Sequence, residues 1–156
     1  MKLLLFLLSF LFGFSVVAQE VKIGNVTNKI QLGDFAGNRD LAFGVQFVLE
    51  EVVQDAGYDL NPNSELSIDV DLLFFDIQKN NIQLAVYSKN TDVYTIIARA
   101  TLYKNGKKKK IATAKGQAKS ISTATLIIDQ GGKFSQANVS TAIKKLCEQL
   151  IEKLKL

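Results

Sequence analysis

Seven lysines crowd one stretch of this chain: Lys104, Lys107, Lys108, Lys109, Lys110, Lys115 and Lys119. Ammonium groups at that density raise the local potential and suit anionic partners such as lipid headgroups, lipopolysaccharide phosphates or cell-wall carboxylates. Lysines along a strand also have a structural use, because charge on an unpaired sheet edge resists edge-to-edge aggregation. Both readings stand on the sequence. Tyr103 is the one aromatic residue among these lysines. That is too little for the stacking platform single-stranded nucleic acid needs, so no nucleic-acid partner is expected.

The remaining reactive residue types point away from catalysis. Asp69 and Asp71 share one strand face, with Asp76 beyond. A hard cation such as calcium takes about six to eight oxygens, and no Asp/Gly-rich loop supplies them, so a solvated strand face and no metal are expected. Arg39 and Asp40 stand where a helix should begin, with Asp40 complementing the positive helix terminus and Arg39 pairing locally. The chain has one cysteine, Cys147, and no histidine. A nucleophilic thiol needs a base or a positive environment, and the usual base is missing. Cys147 falls on an apolar helical stripe and reads as a buried, inert thiol. The glycines at 33, 37 and 44 form no phosphate-binding fingerprint, and Gly131-Gly132 lacks a following Lys-Ser/Thr. Neither a cofactor nor an enzymatic activity is expected.

The elements that position these residues follow from periodicity. Val21, Ile23, Val26, Ile30 and Leu32 mark an extended strand from Glu20 to Leu32, with an irregularity near Gly24-Asn25. Asn38 can cap a helix from Arg39, whose stripe is Leu41, Val45, Val48, Leu49, Val52, Val53 and Ala56, and which Gly57 ends. After Asn61-Pro62-Asn63 the period becomes two. Leu66, Ile68, Val70, Leu72 and Phe74 share one face, opposite Ser67, Asp69 and Asp71. Lys79-Asn80-Asn81 reads as a turn into a strand carrying Ile82, Leu84 and Val86, and Asn90-Thr91-Asp92 as a loop before a third strand, Val93 to Lys104. Asn105-Gly106 is a type I′ hairpin signal. The returning strand, Lys107 to Lys119, has little apolar surface and should be an edge or flare outward. Leu126-Ile127-Ile128 adds a short strand at most. Val139, Ala142, Ile143, Leu146, Cys147, Leu150, Ile151 and Leu154 define a closing helix from Asn138 to about Leu154. The fold class expected is α+β: an antiparallel sheet of about four to five strands with two helices packed on one face.

Composition sets the place. The chain has 156 residues, 47% of them hydrophobic and 22% charged, with a net charge of +4. That is ordinary globular material. Lys2, the apolar run Leu3 to Phe14 and the small residues at Val16-Val17-Ala18 form an export signal spanning 1–18. The apolar stretch falls short of the ~20 residues that cross a bilayer, so cleavage and no transmembrane span afterwards are expected. Residues 19–156 then form a single α+β domain that starts at Gln19, held by apolar burial because one cysteine cannot pair.

Asn38-Arg39-Asp40-Leu41-Ala42-Phe43, then Gln46, Val48-Leu49-Glu50, Ala56-Gly57-Tyr58 and Pro62-Asn63 carry a resemblance. It continues through the strand ending at Asp76, Asn81, Lys89 and Ala98 to Ala100. Across roughly 38–119 the chain resembles the YajG-type bacterial envelope lipoprotein family. That resemblance implies an outer-membrane setting in Gram-negative bacteria and no established activity. Gln19 stands where a lipidated cysteine would be, so the expectation is a periplasmic or secreted form with outer-membrane association through contacts. The functional expectation is a non-catalytic envelope accessory that touches a protein, glycan or lipid, with Lys104, Lys107, Lys108, Lys109, Lys110 and Lys115 as the contact for an anionic partner. A carrier holding a small amphiphile between sheet and helices is the alternative.

Overall fold

The computed structural model describes residues 19–32, 41–84, 87–124 and 135–156. Their order is β1 (Glu20–Leu32), α1 (Ala42–Asp55), β2 (Asp59–Leu60), β3 (Leu66–Leu84), β4 (Tyr87–Lys104), β5 (Lys107–Ala124) and α2 (Gln136–Leu154). The export segment 1–18, the Asn38 cap with Arg39 and Asp40, and Leu126-Ile127-Ile128 lie outside the described residues.

The five strands form one sheet in the order β2-β1-β3-β4-β5. It is mixed, which corrects the antiparallel expectation. β1 runs parallel to both β2 and β3, and only β3, β4 and β5 alternate in direction. The reason is the helix between β1 and β3. A crossover through a helix returns the chain to the end where it began, so the second strand runs parallel to the first.

Two expected turns are absent. β3 and β4 run straight through Lys79-Asn80-Asn81 and Asn90-Thr91-Asp92, which pair with each other as Lys79 with Asp92, Asn80 with Thr91 and Asn81 with Asn90. Local turn preference yields here to a continuous ladder, because strand propensity is set by context. The turn at Asn105-Gly106 forms as expected, both residues taking positive φ, 52° and 70°. A register shift between Leu72 and Phe74 inserts one extra residue into β3. Alternation therefore flips. Phe75, fully buried, takes the inward place expected of Phe74, which pairs with half-buried Ile97 instead.

The buried side chains of α1, α2 and the sheet form one hydrophobic cluster. Inward residues of β5 are Ala112, Ala114, Gly116 and Ala118, all buried. The strand is an edge, as its composition implied, but it does not flare: its small residues are the bed on which α2 lies. A Cβ on Gly116 would overlap the Ala142 carbonyl oxygen and crowd Leu146. Only glycine allows that approach of helix to strand. α2 starts at Gln136 behind Ser135, whose hydroxyl accepts the Asn138 amide at 3.3 Å. α1 is described from Ala42, and Leu41 at its N-cap offers no side-chain hydrogen bond.

Candidate functional site

The structure divides the lysine cluster. Lys104 pairs with Lys107 and Tyr103 with Lys108, and a register shift leaves Lys109 as the extra residue, so Lys104 and Lys107 to Lys109 gather at the exposed hairpin end. Lys110 instead donates from Nζ to the Leu154 carbonyl at 3.0 Å, capping an orphan acceptor at the negative end of α2. Lys115 pairs opposite Ile97 and alternates with the inward alanines, so it lies on the sheet face away from α2. Lys119 follows the same alternation. One further lysine acts on this edge from the helix: Lys153 Nζ donates to the Thr113 carbonyl at 2.7 Å.

The strand carboxylates are engaged by the fold. Asp69 Oδ1 accepts the Asn25 amide at 3.0 Å, at the register shift between Ile23 and Val26 that Gly24-Asn25 foreshadowed. Asp71 bridges Lys29 at 2.8 Å and Arg99 at 2.9 Å. The Lys29 ammonium and then the Arg99 guanidinium, both hydrogen-bonded to it, hold its carboxyl below the ordinary range. Asp76 Oδ1 accepts the Ile77 amide at 2.8 Å. Among the described residues no three His, Cys, Asp or Glu side chains are grouped to hold a metal ion.

Cys147 is fully buried, with the Val45 carbonyl 4.0 Å from its sulfur. Burial, with a smaller push from the Glu148 carboxylate, drives its thiol up to about 12. At neutral pH it is a thiol, and a thiol is a poor nucleophile.

The feature that stands out lies on α1, where sequence reasoning did not look. Phe43 is 81% exposed and Phe47 65%, one helical turn apart. Buried Val45 and Leu49 anchor α1 to the core. A residue two positions away points about 200° around the helix, so the phenylalanines face outward because the valine and leucine face inward. The signal was present in the sequence as two aromatics off the apolar stripe. Beside them a groove of about 500 Å³ runs between the helices, with Phe47, Val48 and Glu51 on one bank and Ser140, Thr141, Lys144, Lys145 and Glu148 on the other. Lys144 Nζ meets Glu51 Oε1 across it at 3.1 Å. The chemistry on offer is apolar contact framed by opposite charges.

No family model matches the chain, and neither does any curated protein. Solved structures do. The chain is similar to a minor lipoprotein from Acinetobacter baumannii at 9% identity and a TM-score of 0.49, over 89% of this chain and 94% of that one. It is similar to lipoprotein GNA1162 from Neisseria meningitidis at 12% identity and 0.43, over 88% and 98%. It is also similar to rare lipoprotein B from Shewanella oneidensis at 6% and 0.42, over 88% and 94%. Likenesses of this size carry no function to this chain, and the YajG-type resemblance remains a reading of the sequence. No helix among the described residues is long and apolar enough to cross a membrane.

Proposed function

We propose that this protein is an exported, non-catalytic accessory of the bacterial envelope that works by contact with another macromolecule through the outer face of α1 and the adjoining groove. The observation that carries the reading is the exposed pair Phe43 and Phe47, the two most exposed of the large hydrophobics among the described residues and one helical turn apart, whereas Ile82, Ile111 and Ile121 are exposed on strands. An exposed aromatic pair costs hydration free energy unless something covers it, and clustered apolar exposure marks contact sites. The buried, protonated Cys147 and the engaged Asp69 and Asp71 fit a protein that does no chemistry. Export rests on residues 1–18, with Gln19 the first residue of the mature chain.

Holding an amphiphile between sheet and helices is the weaker reading, because α2 sits on β5 so closely that a single methyl group at Gly116 does not fit. The lysines of the hairpin end fit an edge guard, with Lys153 and Lys110 tying the same edge to α2.

A photo-crosslinking residue at position 47, in cells that export the protein, tests the reading. Adducts formed from position 47 and not from exposed position 113 on β5 are the expected result. Equal adducts from both positions, or none from either, would remove the assignment.

A further inference from the structure

We infer that the far end of the sheet, carried by one face of β3, β4 and β5 and separate from the α1 face, is a docking surface for an anionic bilayer. Burial stops at the row Ile77, Tyr94 and Ala118, where the Tyr94 hydroxyl accepts the Ser135 amide at 3.1 Å beside the start of α2. The ladders do not stop there. Gln78 to Leu84 of β3, Tyr87 to Val93 of β4 and Lys119 to Ala124 of β5 stay in register beyond it. At about 3.3 Å per residue this three-stranded blade extends roughly 20 Å past the core. No side chain described in it is buried.

Strand pairing sorts the side chains of the blade by face. Lys79, Asn81, Asn90, Asp92 and Ser120 continue the inward alternation of Ile77, Tyr94 and Ala118, and Lys79 stands opposite Asp92. The other face carries Ile82, Val93 and Ile121, every apolar side chain described in the blade, together with Lys89 and Lys119. Ile82 is 56% exposed and Ile121 61%. Among the described residues neither lysine makes an ion pair, and this face of the blade holds no acid. Further back on the same face stand Lys115 and Asp76, whose carboxylate accepts the Ile77 amide, so the balance along it stays positive. Folding alone would set the isoleucines on the inward face, in line with the core. Apolar side chains alternating with ammonium groups and no carboxylate form the strand counterpart of an interfacial amphipathic helix: the apolar groups enter the acyl boundary and the lysines meet lipid phosphates. A protein partner would have to supply a pocket for each isoleucine, two strands or about 10 Å apart, and acids in register with the lysines. An anionic bilayer offers both at every point of its surface.

Flotation of the chain 19–156 with vesicles tests this. The protein should bind vesicles of mixed phosphatidylglycerol and phosphatidylcholine, ignore vesicles of phosphatidylcholine alone, and be released by salt as screening shortens the field. K89Q/K119Q should weaken binding roughly 25-fold, at about fivefold for each lysine near an anionic surface. I82T/I121T should weaken it about tenfold while keeping the β-branched side chains that strands favour. K79Q removes the same charge from the inward face and should leave binding unchanged. F43S/F47S should also leave it unchanged, so this inference and the α1 reading fail separately. A wild type that does not float, binding that K89Q/K119Q leaves intact, or a K79Q loss as large as that of K119Q alone overturns the inference. So does binding to soluble dextran sulfate that is as tight as binding to vesicles and indifferent to I82T/I121T, which would assign a dissolved polyanion instead.

Discussion

The two helices of this protein follow opposite rules, the more apolar α1 burying less of its length than α2. α2 has a side-chain N-cap at Ser135, a left-handed C-cap at Lys155, Lys153 in its last turn and eight buried residues in a continuous stripe. α1, described from Ala42, has acids and no base toward its negative end, four buried residues and two phenylalanines in water. Most of these features of α2 stabilise the isolated domain; the left-handed Lys155, a non-glycine residue at positive φ, is the exception. Several features of α1 destabilise that domain. Sequences that fold well agree with local rules at most positions, and the exceptions cluster where something other than folding is served. The contrast assigns stability to α2 and contact to α1.

Substitutions in α2 should produce the largest effects. Leu146→Ala removes a fully buried side chain and should cost ~2–5 kcal/mol in urea denaturation, a large share of a small domain's stability. Gly116→Ala, which pushes a methyl into the Ala142 backbone, should cost about 1–3 kcal/mol. A cost near zero in both would mean that α2 is not the structural helix.

Removing the cap by Ser135→Ala should cost ~1 kcal/mol, since the Asn138 amide loses its acceptor. Acidification probes the sheet face away from α2. Because the folded-state pKa of Asp71 is depressed by Lys29 and Arg99, its contribution is present above the ordinary carboxylate range and disappears as pH falls through the folded value. The partners are about half exposed, so the contribution should stay below about 1 kcal/mol, and Asp71→Asn should flatten the acid limb of the stability curve by that amount.

F43S/F47S should change stability by less than about 0.5 kcal/mol while abolishing contact, which is the sharpest form of the comparison. A loss comparable with that of Leu146→Ala would show that the phenylalanines belong to the core. The smallest stability effect is expected from changing Lys107, Lys108 and Lys109 together to Gln, exposed residues whose charges contribute little. Light scattering should instead show increased aggregation as the edge loses its guard. Salt-sensitive binding to anionic vesicles that these changes abolish would assign the hairpin end to an anionic partner.

Much of this is legible in the sequence. The α2 stripe, the Asn105-Gly106 turn and the irregularity at Gly24-Asn25 are local features, each specified by residues within a turn or two of one another. Lys79-Asn80-Asn81 misled because its turn preference is local, while the ladder that overrides it comes from β4. The extra residue at Leu73 is invisible in a run where Leu72, Leu73, Phe74 and Phe75 are all apolar, because no alternation remains to show which residue faces the core. For the candidate site, the lysines could be counted but not divided between faces.

By itself, the sequence determined the closing helix, most of α1 and the greater part of each long strand, though not the continuity of β3 and β4, that the usual catalytic histidine is missing, and that stability must come from apolar burial. These follow from composition and from periods of two and 3.6, which any chain carries along its length. Only the tertiary structure decided that β1 and β3 run parallel, that Gly116 admits a helix backbone, that Lys110 caps α2 and that Phe43 and Phe47 face water. The physical reason is the same in each case. Direction, close approach and exposure depend on what lies across a gap in space, and residues distant in sequence set what lies there.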